Sequence, residues 1–124
     1  MYRLLIVGKD HQQEETCRQE LQAEGFAVDV VSDPAEAVRK VQNECPDLVI
    51  LDLCMPRSQG LTCLESMRRH DRALPVVLHT TYPESWGDFR LWSADSYVER
   101  SEDLTELKET VHNLLPPAGH PRPV

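Results

Sequence analysis

The sequence has little positive charge. Its 13 lysines and arginines stand against 21 aspartates and glutamates, so the formal net charge of the 124-residue chain is -8. The one basic cluster is "RRHDR", from Arg68 to Arg72. Because proteins bind nucleic acids largely through lysine and arginine contacts to phosphates, this charge balance argues against direct binding to nucleic acid.

Long apolar runs and closely spaced cysteine pairs are also absent. The longest apolar runs have the length of a β-strand, and Met1 leads almost directly into one of them, so we expect neither a signal peptide nor a membrane span. The cysteines, Cys17, Cys45, Cys54 and Cys63, are too far apart for a CxxC pair and have no matched histidine spacing. This argues against a zinc site or a redox dithiol. We therefore expect a cytoplasmic protein with reduced, mostly buried thiols.

Short β-branched runs alternate with segments of helical period, a pattern typical of βαβ units around a parallel sheet. The strand candidates are Arg3–Gly8, Ala27–Val31, Asp47–Asp52, Pro75–Thr80 and Ser96–Glu99. The first, third and fourth are nearly all apolar, which predicts central strands covered on both faces. The sequence therefore predicts an α/β fold with a doubly wound, five-stranded parallel sheet in the order 2-1-3-4-5, flanked by five helices.

Capping signals locate several of the helices. The first is expected from about Gln12 to Glu24, ending at Gly25, and the second begins after Asp33. The third is expected near residues 60–70, a short fourth over residues 83–93, and the fifth after Ser101. Four prolines and a lack of periodicity predict a disordered tail over residues 116–124, which leaves residues 1–115 as the folded domain.

Polar side chains gather where the strands end. The carboxyl ends of strands one and three should bring Gly8, Lys9 and Asp10 close to Asp52, and strands four and five add Thr80, Glu99 and Arg100. A carboxylate in the position of Asp52 can be a nucleophile toward a phosphoryl group when cations neutralise the incoming oxygens. Thr80 can donate its hydroxyl to such an oxygen, and Arg100 can pair with the carboxylate or the phosphate.

These motifs resemble those of the receiver domains of bacterial two-component response regulators, the CheY-like family. "DLVILDLCMPRSQGL" is similar to the strand and loop that carry the phosphorylated aspartate, here Asp52. "LPVVLHT" resembles the fourth strand with its switch threonine, Thr80, and in "ADSYVERSEDLTELKETV" Tyr97 matches the aromatic switch position. The resemblance extends from about Arg3 to Leu115, and it implies the flavodoxin-like form of the predicted fold.

The resemblance also implies a mechanism and partners. A sensor histidine kinase or a phosphotransfer protein would pass a phosphoryl group to Asp52 with Mg²⁺ bound. Thr80 and Tyr97 would then move inward and remodel the surface of the fourth helix, fifth strand and fifth helix, where a downstream protein binds. Beyond its own phosphorylation and dephosphorylation, no enzymatic activity is implied. Whether the chain forms a homodimer through that surface stays open.

Two positions depart from the family pattern. The first strand of the family ends in two acidic residues that hold magnesium, and Gly8 and Lys9 stand there instead. The metal ligands that remain are Asp52, the backbone carbonyl of Cys54 and, as a weak candidate, Asp10, so we expect Mg²⁺ binding to be weak or absent. Our hypothesis is that the Lys9 ammonium reaches Asp52 and occupies the space of the metal. The second departure replaces Lys-Pro after strand five by Arg100-Ser101, with Ser101 as a helix cap.

Three functions can be compared on the basis of the sequence. The first is a stand-alone receiver domain in a phosphorelay, phosphorylated on Asp52 at a weakened metal site. The second is a phosphorylation-independent pseudo-receiver, a protein interaction module whose pocket is held by Lys9. The third, a small flavodoxin-like cofactor binder or hydrolase, is disfavoured because the sequence has neither a phosphate-binding glycine loop nor a serine or cysteine nucleophile elbow.

Overall fold

The computed structural model describes residues 1–52, 57–80 and 94–116, with the side chains of residues 57–59 and 80 outside the description. Strands and helices alternate along most of the chain. In order they are β1 (Arg3–Val7), α1 (His11–Ala23), β2 (Ala27–Val31), α2 (Pro34–Glu44), β3 (Leu48–Asp52), α3 (Arg57–His70), β4 (Val76–Thr80), β5 (Ser96–Glu99) and α4 (Thr105–Leu114).

The five strands form one parallel sheet in the order β2-β1-β3-β4-β5, as predicted. Strand β1 lies between β2 and β3, with Val7 opposite Val31 on one side and Leu51 on the other. Every residue of β3 is buried. The prediction that the most apolar runs form the central strands is therefore confirmed.

The sheet is covered on both faces, and each face has its own apolar core. The core on one side combines Leu5, Val7, Val49, Leu51 and Leu78 of the sheet with Ala37 and Val41 of α2 and Leu61, Leu64 and Met67 of α3. The core on the other side combines Ile6, Ile50, Val77 and Val98 with Cys17 and Leu21 of α1 and Leu107 and Val111 of α4. Side chains alternate between the faces along each strand. Asp52, two residues after Ile50, therefore points toward the face that α1 and α4 cover.

The ends of the first two helices are fixed as their sequences indicate. Asp33 Oδ1 accepts a hydrogen bond from the Ala35 N–H at 3.1 Å, with Pro34 in the first turn of α2. Gly25 follows α1 with φ +101°, a conformation that glycine adopts without strain. Asp10 caps α1, because its Oδ1 accepts from the Gln13 N–H at 3.1 Å.

Three differences from the predicted helices concern their number and their starts. The described residues contain four helices, and the predicted fourth of five falls on residues outside the description. Helix α3 begins at Arg57, before the predicted Gly60. Helix α4 begins only at Thr105, so the prediction of Ser101 as its cap was wrong. Ser101 Oγ instead accepts from the Asp103 N–H at 3.1 Å, and Asp103 Oδ1 accepts from the Thr105 N–H at 2.9 Å.

The predicted Pro-rich tail lies outside the described residues from position 117 onward. In the part of the chain that is described, no helix has both the length and the apolar character needed to cross a membrane.

Candidate functional site

A cluster of buried polar side chains lies at the carboxyl edge of the sheet. It consists of Glu14, Asp52, His79 and Arg100, which we call the edge cluster. The exposed fractions of Glu14, Asp52 and His79 are 0%, 1% and 3%, and that of the Arg100 side chain is 4%. Charged residues are seldom buried this completely without partners. The edge cluster is therefore a specific arrangement and not ordinary surface.

Four elements bring the edge cluster together. Asp52 ends β3, and His79 stands opposite it on β4. Arg100 directly follows β5, and Glu14 belongs to the first turn of α1. Since Asp52 points to the face that α1 covers, its carboxylate meets side chains that arrive from α1 and from the end of β5.

Arg100 joins the two carboxylates of the edge cluster. Its Nη2 lies 3.4 Å from Asp52 Oδ2 and forms an ion pair with Glu14 Oε1. Its Nη1 donates to the Gln13 side-chain oxygen. The guanidinium group, which stays protonated in proteins, therefore compensates much of the negative charge that two buried carboxylates create.

Glu14 lies over Gly8, the residue that follows β1. A Cβ atom on residue 8 would stand 2.4 Å from Glu14 Oε2 and 3.0 Å from Asp52 Cβ. A Cβ atom essentially never lies 2.4 Å from another heavy atom, so any side chain at position 8 would displace the Glu14 carboxylate. Gly8 therefore leaves open the space that the Glu14 carboxylate fills.

Burial shifts the pKa values of two groups in the edge cluster in opposite directions. Burial raises the pKa of Glu14 to about 7, with Arg100 opposing this shift and the negative charge of Asp52 adding to it. Burial lowers the pKa of His79 to about 4, with Arg100 adding to the shift and Asp52 opposing it. His79 is therefore a neutral imidazole at pH 7, whereas Glu14 holds a proton to a higher pH than an exposed glutamate does.

The comparison with protein families decides what this fold and site belong to. A family model described as "Response regulator receiver domain" matches residues 4–112. The chain belongs to the response regulator receiver domain family. It is thus a receiver domain of the kind used in two-component signalling.

Curated relatives of this receiver domain are response regulators. It is 35% identical over 116 residues to response regulator MprA of Mycobacterium sp. (strain KMS), an alignment that covers 91% of this chain and 50% of that protein. Its identity to response regulator MprA of Mycobacterium leprae (strain TN) is 33% over 116 residues. The chain spans about half the length of these curated relatives.

Solved structures match the fold of this receiver domain closely. One is response regulator TrrA from Thermotoga maritima in complex with Mg²⁺-BeF, with a TM-score of 0.87 and 36% identity, covering 93% of this chain and 100% of that one. Another is the complex of histidine kinase ThkA with TrrA. The match has a TM-score of 0.85 and 36% identity, and it covers 94% of this chain and 100% of the matched chain.

The structure places the predicted site residues of the receiver domain in different surroundings. Asp52 and Arg100 come together in the edge cluster. Lys9 is exposed and takes part in none of the ion pairs found within residues 1–52, 57–80 and 94–116. Asp10 is also exposed, and its carboxylate caps α1. Within the described residues Arg100 is a cation beside Asp52, and contact between Lys9 and Asp52 stays a prediction.

The predicted switch residues lie away from the edge cluster or outside the described side chains. Tyr97 is half-buried on β5 and packs against the core on the α2 and α3 side of the sheet, the face opposite Asp52. The backbone of Thr80 ends β4 opposite Glu99, and its side chain lies outside the description. Cys54 also lies outside the described residues.

An open cavity of about 530 Å³ lies beside the edge cluster, between the start of α1 and the segment after β5. Its lining includes Asp10, Gln13, Arg100 and Leu104. Although the Arg100 side chain is nearly buried, a group that enters this cavity would reach it.

Sequence reasoning missed Glu14 and assigned His79 only to packing. A signal for Glu14 was present, because Glu14, Cys17 and Leu21 follow the i, i+3, i+7 spacing of a buried helix stripe and are all buried. A glutamate on such a stripe needs a partner in the core. His79 gave no comparable signal, since a histidine near a strand end is common.

Proposed function

We propose that the domain accepts a phosphoryl group on Asp52 from a histidine kinase or a phosphotransfer protein in a phosphorelay. The observation that carries this proposal is the Asp52 carboxylate at the end of β3, with Arg100 Nη2 3.4 Å from its Oδ2. One carboxylate oxygen forms the new bond to phosphorus while the bond from phosphorus to the donor's nitrogen or oxygen breaks, and the donor takes that electron pair. Arg100 is placed to neutralise charge on the phosphoryl oxygens.

Two solved structures support the assignment by similarity. TrrA, which is 36% identical to this chain, has been solved with Mg²⁺-BeF and in complex with histidine kinase ThkA. The cavity between α1 and the segment after β5 gives a partner a route to Arg100. We extend the same kind of partner, a histidine kinase, to this domain.

Magnesium binding is proposed to be weak because Gly8 and Lys9 stand where the family has an acidic pair. When bound, the metal would neutralise phosphoryl oxygens beside Asp52. No group of three or more His, Cys, Asp or Glu side chains in the described ranges is placed to hold a metal. The oxygen donors proposed from the sequence are Asp52, the Cys54 carbonyl and Asp10, and the carboxylate of Asp10 is already engaged as a helix cap.

The direct test is phosphorylation by a small phosphodonor. We expect the wild-type chain, incubated with acetyl phosphate and Mg²⁺, to gain one phosphoryl adduct in its intact mass spectrum. Asp52→Asn removes the nucleophilic oxygen and should show no adduct. Glu99→Gln, at an exposed carboxylate next to Arg100, is the matched control and should be modified like wild type.

An adduct on both the wild type and Asp52→Asn would place the modification elsewhere and contradict the proposal. No adduct on the wild type, at any metal concentration that leaves it folded, would favour the alternative function described below.

Lys9 offers a second test of the weakened metal site. Lys9→Asp exchanges an exposed ammonium for a carboxylate near the edge cluster, and we expect it to raise Mg²⁺ affinity by about tenfold or more, as one added carboxylate ligand would. Isothermal titration calorimetry measures the change, with Lys9→Gln separating loss of the positive charge from gain of a ligand. Equal affinities for wild type and Lys9→Asp would rule out a metal site within reach of residue 9.

The output of the domain is proposed to run through the surface around β5. Thr80 and Tyr97 would respond to phosphorylation, and the surface formed by the predicted fourth helix, β5 and α4 would bind a downstream protein or a second copy of the chain. The cytoplasm, where histidine kinases present their phosphoryl groups, is the proposed location. The domain is taken to comprise residues 1–115.

A phosphorylation-independent interaction module is the alternative function. The observation that favours it is the Arg100 guanidinium, which pairs with both Asp52 and Glu14 and compensates their charge. In such a module Asp52 would serve the fold and the protein surface would bind partners constitutively.

A further inference from the structure

We infer that the first turn of α1 restrains phosphoacceptance. Gln13 and Glu14 hold the Arg100 guanidinium, which must leave them before it can bind a phosphoryl group on Asp52. Because Gln13 and Glu14 act through Arg100, they are positioning residues. This inference rests on the proposed function, since it assumes that Asp52 is the phosphoacceptor. It adds a contact that opposes the reaction and that comes from a helix, not from a strand end.

The first support is the set of contacts that Arg100 makes. Its Nη1 donates to the Gln13 side-chain oxygen, and its Nη2 donates to Glu14 Oε1. The distance from Nη2 to Asp52 Oδ2 is 3.4 Å, longer than the usual N–H···O distance of about 2.7–3.2 Å. The edge of the guanidinium formed by its two Nη atoms therefore faces α1. Arginine commonly binds a phosphate through two parallel N–H···O bonds from such an edge, so a phosphoryl group would compete with α1 for it.

The second support is that the first turn of α1 is itself fixed. Asp10 Oδ1 accepts from the Gln13 N–H at 3.1 Å, and the Asp10 carbonyl accepts from the Glu14 N–H at 2.9 Å. Glu14 is fully buried, and the missing Cβ of Gly8 leaves the space in which its carboxylate lies. Asp10 and Gly8 thus determine the place from which α1 holds Arg100.

The third support is the charge of the edge cluster. The single positive charge of Arg100 is shared by the carboxylates of Glu14 and Asp52, both almost fully buried. Phosphoryl transfer is faster when a cation stabilises the charge on the phosphoryl oxygens. A guanidinium that is paired with Glu14 supplies less of that stabilisation, and the Glu14 carboxylate repels an incoming anion. Weakening the contact between Arg100 and α1 should therefore speed phosphoryl transfer to Asp52.

The rate of phosphorylation by acetyl phosphate tests the restraint. An oxygen of Asp52 forms its bond to phosphorus while the bond from phosphorus to acetate breaks, and acetate takes that electron pair. The measurement is made at pH 8.5, because burial raises the pKa of Glu14 to about 7 and the carboxyl must be ionised. We expect Glu14→Gln to form the adduct about tenfold faster than wild type, the order of effect that a like charge nearby has on an ionisable group. Gln13→Ala removes one hydrogen bond at an exposed side chain and should give about a threefold increase.

The neighbouring positions on α1 supply matched controls. Glu15→Gln makes the same change in charge at a half-exposed side chain, and Gln12→Ala makes the same truncation at an exposed one. Both should be phosphorylated at the wild-type rate in the same acetyl phosphate and Mg²⁺. Circular dichroism checks the fold of every variant, and Gln13→Ala carries the test if Glu14→Gln is not folded.

The contact between α1 and Arg100 can also be measured without any phosphorylation. NMR of ¹⁵N-labelled protein gives separate N–H signals for an arginine whose Cζ–Nη bonds rotate slowly, as expected while α1 holds both Nη groups of Arg100. Glu14→Gln and Gln13→Ala should each speed the rotation and merge these signals, whereas Asp52→Asn should leave them separate. Arg100→Lys, which has no guanidinium, identifies the signals.

Two results would overturn the inference: phosphorylation of Glu14→Gln and Gln13→Ala that is no faster than that of wild type, or Arg100 signals that merge in Asp52→Asn and stay separate in both α1 variants. Its failure is separable from that of the proposed function. An adduct that forms at one rate in wild type and both α1 variants refutes only the inference. An adduct on the α1 variants but not on wild type supports it, and no adduct on any of the proteins refutes phosphoacceptance and the restraint together.

Discussion

Arg100→Ala is expected to lower the free energy of unfolding by about 3–5 kcal/mol at pH 8, the usual cost of removing one partner from a buried ion pair. The reason is the loss of the positive group that lies beside both Glu14 Oε1 and Asp52 Oδ2, which leaves two buried carboxylates next to each other. Urea unfolding followed by tryptophan fluorescence measures the change.

The control for Arg100→Ala is a pair of the same chemistry at the surface. Arg18 pairs with Glu15 on α1, with side chains 33% and 46% exposed. Arg18→Ala should cost far less than Arg100→Ala, because exposed ion pairs contribute little to stability. Equal losses for the two variants would mean that Arg100 does not compensate the buried charges and would remove the basis of the edge cluster.

The strand order and the position of Asp52 could be predicted because they depend on local patterns. The apolar runs of β1, β3 and β4 identify central strands, and parallel strands bring their carboxyl ends to one edge. The alternation along β3 also fixes the direction of Asp52, since Ile50 lies in the core under α1 and α4. The identification of the central strands and the direction of Asp52 use only residues that are close in sequence.

The contacts of Asp52 could not be predicted in the same way, because they depend on side chains from distant parts of the chain. Arg100 follows β5, which is separated from β3 by β4, and reaches Asp52 through the length of its side chain. Glu14 reaches the site only because residue 8 has no Cβ. From the sequence alone Gly8 indicates only the loss of an acidic side chain, whereas in the structure it leaves room for the Glu14 carboxylate.

The exact start of α4 also could not be predicted from the sequence, although the residues involved are close neighbours. Ser101, Asp103 and Thr105 all belong to residue types that cap helices, so the sequence offers several starts. In the structure the hydroxyl of Ser101 accepts from the Asp103 N–H, and the carboxylate of Asp103 accepts from the N–H of Thr105, the first residue of α4. Propensity identified the right segment but could not rank caps that compete within five residues of each other.

The pH dependence of stability gives the second large effect, and it should be visible only in variants. Burial lowers the pKa of His79 from its ordinary value of 6.5 to about 4. A neutral His79 therefore supports the fold fully above pH 6.5, and this contribution is lost as the pH falls toward 4, a change of about 3 kcal/mol. Burial raises the pKa of Glu14 from 4.5 to about 7, so the contribution of protonated Glu14 is present below pH 4.5 and is lost as the pH rises through 7.

The two shifts have opposite signs over nearly the same interval, so they offset each other in the wild-type chain. Removing either group should reveal the pH dependence of stability that the other group causes. His79→Gln is expected to become more stable relative to wild type as the pH falls from 7 to 5, whereas Glu14→Gln should become less stable relative to wild type over the same range. Melting temperatures at half-unit pH steps measure both curves, and the variant that combines both changes should again follow the wild-type slope. Parallel curves for all four proteins would contradict the opposed shifts.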